Sequence, residues 1–177
     1  VKNKIEADLG VLAAYGALIP QDVIRHFPHG ILNIHPSLLP KWRGASPVQA
    51  SILSGESETG VTIIKIDELL DHGPILGQFK ETVQIQDTTG TLRTRLFERS
   101  ADVLCESIEP YIKGKIKPRE QNHKEANYTT LLKKEHGFIP SEYLDFALKG
   151  ESLKKEWEIP FVKDLELSPT PENIERF

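Results

Sequence analysis

The sequence predicts an α/β fold, with short strands and amphipathic helices alternating around a mostly parallel sheet. Two strand patterns, at 7–14 and 31–35, flank one helical pattern, which is the βαβ unit of parallel sheets, crossing over right-handed. A further signal comes later: Leu92, Leu96, Val103, Leu104, Ile108 and Ile112 fall at helical spacing and give that segment an apolar stripe. An open sheet of this kind needs more strands than the chain supplies.

Residues 7–14, ADLGVLAA, form an apolar run ending at Tyr15 and Gly16, the pattern of a buried parallel strand that enters a loop. Pro20 suits the first position of a helix reaching Phe27, with Val23, Ile24 and Phe27 as its stripe. The strand at 31–35 follows, and Pro36 ends it because proline has no N–H for the ladder. Residues 36–45 are expected as a loop. Ser46 as cap and Pro47 as first residue then open a helix that runs to Ser54 and stops at Gly55. Strands are expected at 60–67 and 78–85, with Asp71, His72, Gly73 and Pro74 in the turn between them. The long helix covers 88–112, and Gly114 ends it. Polar residues at 115–127 suggest a linker, a short helix is expected at 141–148 before Gly150, and the tail with Pro160, Pro169 and Pro171 reads as loop.

Composition narrows the possible functions. At a formal net charge of −4 the chain lacks the basic footprint of a general nucleic-acid binder. The basic clusters at Lys113, Lys115, Lys117 and Arg119, and at Lys133, Lys134, Lys154 and Lys155, read as solvated faces. No apolar run approaches the roughly 20 residues of a membrane helix, so no membrane partner is expected. Cys105 is single, which rules out an intrachain disulfide, and its place in the long helix predicts a core position. No His, Cys and carboxylate set has metal-ligand spacing, so no metal is expected. The chain opens on Val1 and contains no methionine, so it is expected to be part of a longer product.

The most informative stretch is 30–44, GILNIHPSLLPKWRG. A strand puts residues two apart on one face, so Asn33 and His35 point the same way at a strand's carboxyl end, where open α/β sheets hold their chemistry. Taken alone, the two residues are better described as a buried polar pair satisfied by backbone groups. The second half, SLLP followed by KWRGASPVQ, is too long and too unusual for a chance turn. With Asn33 and His35, with Gly60, Val61 and Thr62, and with Leu70, Asp71, His72 and Gly73, it resembles the formyltransferase family that uses 10-formyltetrahydrofolate. The resemblance covers roughly 7–135 and leaves the last third of the chain poorly matched.

The resemblance implies a Rossmann-like formyltransferase domain that is N-terminally truncated: a partial catalytic domain at 1–114, a linker at 115–127 and a small divergent C-terminal segment at 128–177. It implies Asn33, His35 and Asp71 as the catalytic constellation. Formyl transfer passes through a tetrahedral oxyanion, and an amide donor, a histidine beside a carboxylate and that carboxylate suit it by chemistry as well. By chemistry alone, however, an Asp before His-Gly is most often just a turn former, and His72 reads as a turn residue. The resemblance places 10-formyltetrahydrofolate, the co-substrate, against Tyr15, Gly16, Leu18, Ile19 and Pro20, with Ser37, Leu38, Leu39 and Pro40 closing over it. Trp42 and Arg43 are the more exposed substrate candidates, for stacking on a base and for a phosphate. An arginine packed across an aromatic face explains them equally well.

Segment 41–49 looks like the branch that formylates the amino group of methionyl-initiator tRNA for translation initiation, which makes that tRNA and folate the expected partners of a monomer. Another formyltransferase of the superfamily, acting on a nucleotide or sugar nucleotide, a formyltetrahydrofolate hydrolase, or a non-catalytic folate-binding fragment stay open as alternatives. The atypical tail points to a mitochondrial eukaryotic enzyme, with the bacterial cytoplasm as the other reading.

Overall fold

The computed structural model describes residues 6–150, 157–168 and 170–176, so Lys154, Lys155 and Pro169 lie outside the described residues. In chain order the elements are β1 (Gly10–Ala13), α1 (Gln21–Ile24), β2 (Ile31–His35), β3 (Arg43–Gly44), α2 (Pro47–Leu53), β4 (Glu58–Lys65), β5 (Ile75–Thr82), α3 (Thr89–Ile112), β6 (Tyr128–Thr129), α4 (Ser141–Leu148), β7 (Trp157–Glu158), β8 (Glu166–Leu167) and α5 (Pro171–Arg176). The main sheet has the order β1-β2-β4-β5. β1 runs parallel to β2, while β4 is antiparallel to both β2 and β5. Three of the four strands therefore point one way, as the mostly parallel sheet requires, and the reversed β4 makes the sheet mixed. A short connection such as 66–74 can join only antiparallel neighbours, which fixes the β4–β5 pairing.

The core follows from strand alternation. Leu32 and Ile34 of β2, with Val61 and Ile63 of β4, pack against Leu92, Leu96 and Leu104 of α3. That turns Asn33, His35 and Thr62 to the opposite sheet face. α3 begins with a reciprocal cap: Thr88 Oγ1 accepts from Thr91 N at 3.2 Å and Thr91 Oγ1 accepts from Thr88 N at 3.0 Å. It ends at Gly114, whose φ of +69° suits a residue without Cβ. A second cluster joins the 42–53 stretch to the C-terminal third: Trp42, Ala50 and Leu53 pack with Tyr143, Trp157, Ile159, Phe161 and Val162.

Several local expectations change. β1 is the sheet's edge rather than a buried strand, so Val11 is 49% exposed. α1 stops at Ile24 because Phe27 precedes Pro28, which disfavours helical backbone, and Pro20 sits before the helix as its N-cap residue. β5 starts at Ile75, three residues earlier than expected, and Ile75 and Leu76 enter the core. Ser46 does not cap α2; its hydroxyl donates to Thr130 O at 2.7 Å. Cys105 faces solvent, one position round from the buried stripe residue Leu104. The loop at 36–45 contains β3, which pairs in parallel with β6.

Candidate active site

β2 carries His35 to the sheet's end, where the ring is 3% exposed. Its Nε2 lies 2.9 Å from Trp42 O, and its Nδ1 lies 3.5 Å from Asp71 Oδ1. A carbonyl only accepts, so Nε2 carries the hydrogen of that bond and Nδ1 is left facing the carboxylate. The two side chains stand within ion-pair distance when the ring is protonated. Asn33 is half-buried on the same strand face, and its side-chain amide makes no hydrogen bond with a described residue. The three expected catalytic residues therefore divide into a locked pair, His35 and Asp71, and a free amide donor.

Both partners of His35 have left-handed backbone, with φ of +60° at Trp42 and +48° at Asp71. Non-glycine residues adopt this conformation at a cost of about 1–3 kcal/mol, and such strain persists where the surroundings over-determine it. Here they do. Asp71 Oδ2 accepts from Gly44 N at 2.8 Å, and Gln121 Nε2 donates to Asp71 O at 2.9 Å and Gly73 O at 2.7 Å. Trp42 N donates to Asn127 Oδ1 at 2.6 Å. A Cβ on Gly73 would lie 1.9 Å from Lys65 O, and one on Gly44 2.0 Å from Thr129 O, so only glycine allows these close approaches.

The SLLP loop is fixed from beneath. Thr62 Oγ1 donates to Ser37 O at 2.7 Å and accepts from Leu39 N at 3.0 Å, and Gln78 Nε2 donates to Leu39 O at 2.7 Å. Ser37 and Leu39 are buried, Leu39 against Ile64 and Ile75, while Leu38 and Pro40 are half-buried. Of the other expected folate residues, Tyr15, Gly16, Leu18 and Pro20 are exposed and Ile19 is half-buried on the loop after β1. No hydrogen bond or core cluster among the described residues joins that loop to 37–40.

Trp42 and Arg43 are not exposed. The Trp42 indole is buried in the second core, with Nε1 donating to Glu56 Oε2 at 3.2 Å. Arg43 is 1% exposed; its guanidinium donates to Gln121 Oε1 at 2.7 Å, His123 Nδ1 at 2.8 Å and Tyr128 Oη at 3.1 Å. It lies 5.8 Å from the Tyr128 ring centroid, so the packing of arginine across an aromatic ring is what forms here. The sequence could not show this, because the partners come 78–85 residues later. His72 is a turn residue: Nδ1 bonds Asp67 Oδ2 at 2.7 Å and the ring stacks on His123 at 3.9 Å. Sequence reasoning missed Gln121, Asn127 and Thr129, which sit in or just after the polar stretch with no periodicity to mark them. Among the described residues no three His, Cys, Asp or Glu side chains are placed to hold a metal ion.

The fold is that of a Rossmann-like α/β enzyme domain, with His35 and Asp71 brought together at the end of its sheet. The chain belongs to the formyl transferase family, which matches residues 1–108. It is 47% identical over 135 residues to the methionyl-tRNA formyltransferase of Roseiflexus sp. (strain RS-1), covering 76% of this chain and 42% of the relative. It is 42% identical over 135 residues to the methionyl-tRNA formyltransferase of Marinobacter nauticus, covering 76% and 43%. The chain thus spans less than half the length of these two relatives. Among solved structures it is similar to the formyltransferase PseJ from Anoxybacillus kamchatkensis, in complex with UDP-4,6-dideoxy-4-formamido-L-AltNAc and tetrahydrofolate. That match has a TM-score of 0.64 and 30% identity, and covers 84% of this chain and 74% of that one.

Proposed function

We propose that the protein transfers a formyl group from 10-formyltetrahydrofolate to the amino group of methionyl-initiator tRNA. The observation that carries this is His35, held between the Trp42 carbonyl and the Asp71 carboxylate beside the free amide of Asn33. The acceptor amine attacks the formyl carbon, the carbon–N10 bond breaks, and one proton travels from amine to N10. Asn33 and the His35 Nε2–H donate to the developing oxyanion, and the His35–Asp71 pair moves the proton. The formyl oxygen competes with Trp42 O for the His35 hydrogen, so substrate releases the ring from its resting partner. Tyr15, Gly16, Leu18, Ile19 and Pro20, with the Ser37, Leu38, Leu39 and Pro40 loop, supply the folate surface. The exposed rings and free backbone groups of the first loop suit a flat pterin. Trp42 and Arg43 serve by holding the loop rather than by touching tRNA.

The bacterial relatives favour the bacterial cytoplasm over a mitochondrion as its compartment. Residues 1–114 form the catalytic part, 115–127 the connection and 128–177 the divergent segment. A sugar-nucleotide acceptor is the second reading, favoured by the PseJ match, which spans 74% of that enzyme. The test is single-turnover transfer from 10-formyltetrahydrofolate to charged initiator tRNA and, separately, to an amino-sugar nucleotide. We expect transfer to the tRNA alone and a loss of about 10²–10⁴-fold in His35→Ala. Transfer to the sugar nucleotide alone would replace the first reading with the second, and an undiminished His35→Ala would remove the site.

A further inference from the structure

We propose that Gln121 is a positioning residue for Asp71. The proposal rests on the formyl-transfer reading above and names a residue through which that site is held. Gln121 is 5% exposed, and its amide uses every kind of bond it has. Nε2 donates both its hydrogens, to Asp71 O and Gly73 O, while Oε1 accepts from Arg43. The same side chain therefore grips the Asp71 turn by its main chain and, through Arg43, the residue before Gly44, whose N–H binds the Asp71 carboxylate. Gln121, Arg43, Gly44 and Asp71 close a ring of contacts.

The ring has a rigid footing. Two residues before Gln121, Arg119 N donates to Ile75 O at 2.8 Å and Ile75 N donates to Arg119 O at 2.7 Å, which pins the segment to the start of β5. Asp71 needs such support because its φ of +48° is unfavourable for a residue with a Cβ. Without the two donors the turn is free to relax, and the carboxylate then leaves its place 3.5 Å from His35 Nδ1. Displacement of a reacting group by about 1 Å costs up to roughly 10²-fold in rate.

The test is steady-state formyl transfer by the full protein carrying Gln121→Glu. The glutamate keeps an acceptor for Arg43, and so the packing, but loses both donors to the turn. We expect kcat per folded molecule to fall about tenfold to a hundredfold, with KM for 10-formyltetrahydrofolate nearly unchanged and the thermal midpoint lowered, because Asp71 O and Gly73 O lose their donors. A kcat within about twofold of the unsubstituted protein, or a lowered midpoint with unchanged kcat per folded molecule, overturns the positioning role. If Gln121→Glu does not fold, Gln121→Asn, which keeps the amide one methylene short, is measured instead. Loss of the fold in both makes Gln121 a structural residue and likewise overturns the proposal. An unsubstituted protein that transfers no formyl group removes the functional reading, and this proposal with it, and is told apart by that control.

Discussion

The two faces of the sheet are built in opposite ways. On one, Leu92, Leu96 and Leu104 of α3 press on Leu32, Ile34, Val61 and Ile63, and the contacts are apolar and set by period. On the other, His35, Asp71, Arg43 and Gln121 are bound by directional hydrogen bonds from segments far apart in sequence. Apolar packing tolerates small shifts, whereas directional hydrogen bonds hold the two strained residues Trp42 and Asp71 in place. The first face should set stability and the second should set rate.

Substitutions that separate these two effects test the contrast. The largest expected effect is on the apolar face: Leu96→Ala empties a fully buried site and should cost about 2–5 kcal/mol in denaturant unfolding, with kcat per folded molecule unchanged. A matching loss of kcat would mean that the core sets the site directly. On the polar face, Arg43→Lys keeps the charge but cannot reach Gln121, His123 and Tyr128 together. It should cost about 1–3 kcal/mol of stability by leaving buried acceptors unpaired. Unlike Leu96→Ala, it should also lower kcat, because Gly44 and the Asp71 turn lose their support.

The smallest expected effect lies at the rim, where Arg95 holds the Asp87 carboxyl down from its ordinary 3.8 to about 2, chiefly by the side-chain hydrogen bond. A carboxyl lowered in the folded state stabilises fully above its unfolded value, and that stabilisation is lost as pH falls from about 4 toward 2. With solvent screening at the rim the pair contributes at most about 1 kcal/mol. Asp87→Asn should remove about that much at neutral pH and flatten the acid limb of the stability curve. An acid limb as steep as before would place the dependence on other carboxylates.

The same contrast explains what the sequence could reveal. α4 runs over Ser141–Leu148 and α3 ends at Ile112, as local periodicity and glycine stops predict. Asn33, His35 and Asp71 were singled out by the family resemblance of the SLLP, WRGASP and LDHG stretches and not by strand alternation alone, and in the fold His35 and Asp71 meet. Arg43 and Trp42 looked exposed because their partners Gln121, Tyr128 and Trp157 belong to segments without periodic pattern, and a contact spanning 78 residues leaves no local trace. Cys105 was misplaced for a smaller reason: one position in a helix is a rotation of about 100°, enough to move a side chain from core to water.

The central claim is that His35 and Asp71 act as one proton-handling unit held by the polar ring. A double-mutant cycle in single-turnover formyl transfer, with His35→Ala, Asp71→Asn and the double variant, addresses it directly. The account predicts that each single variant is slowed nearly as much as the double, because removing either partner disables the pair. If the two losses instead multiply, His35 and Asp71 act independently, and the contact at 3.5 Å between them is not the unit of chemistry.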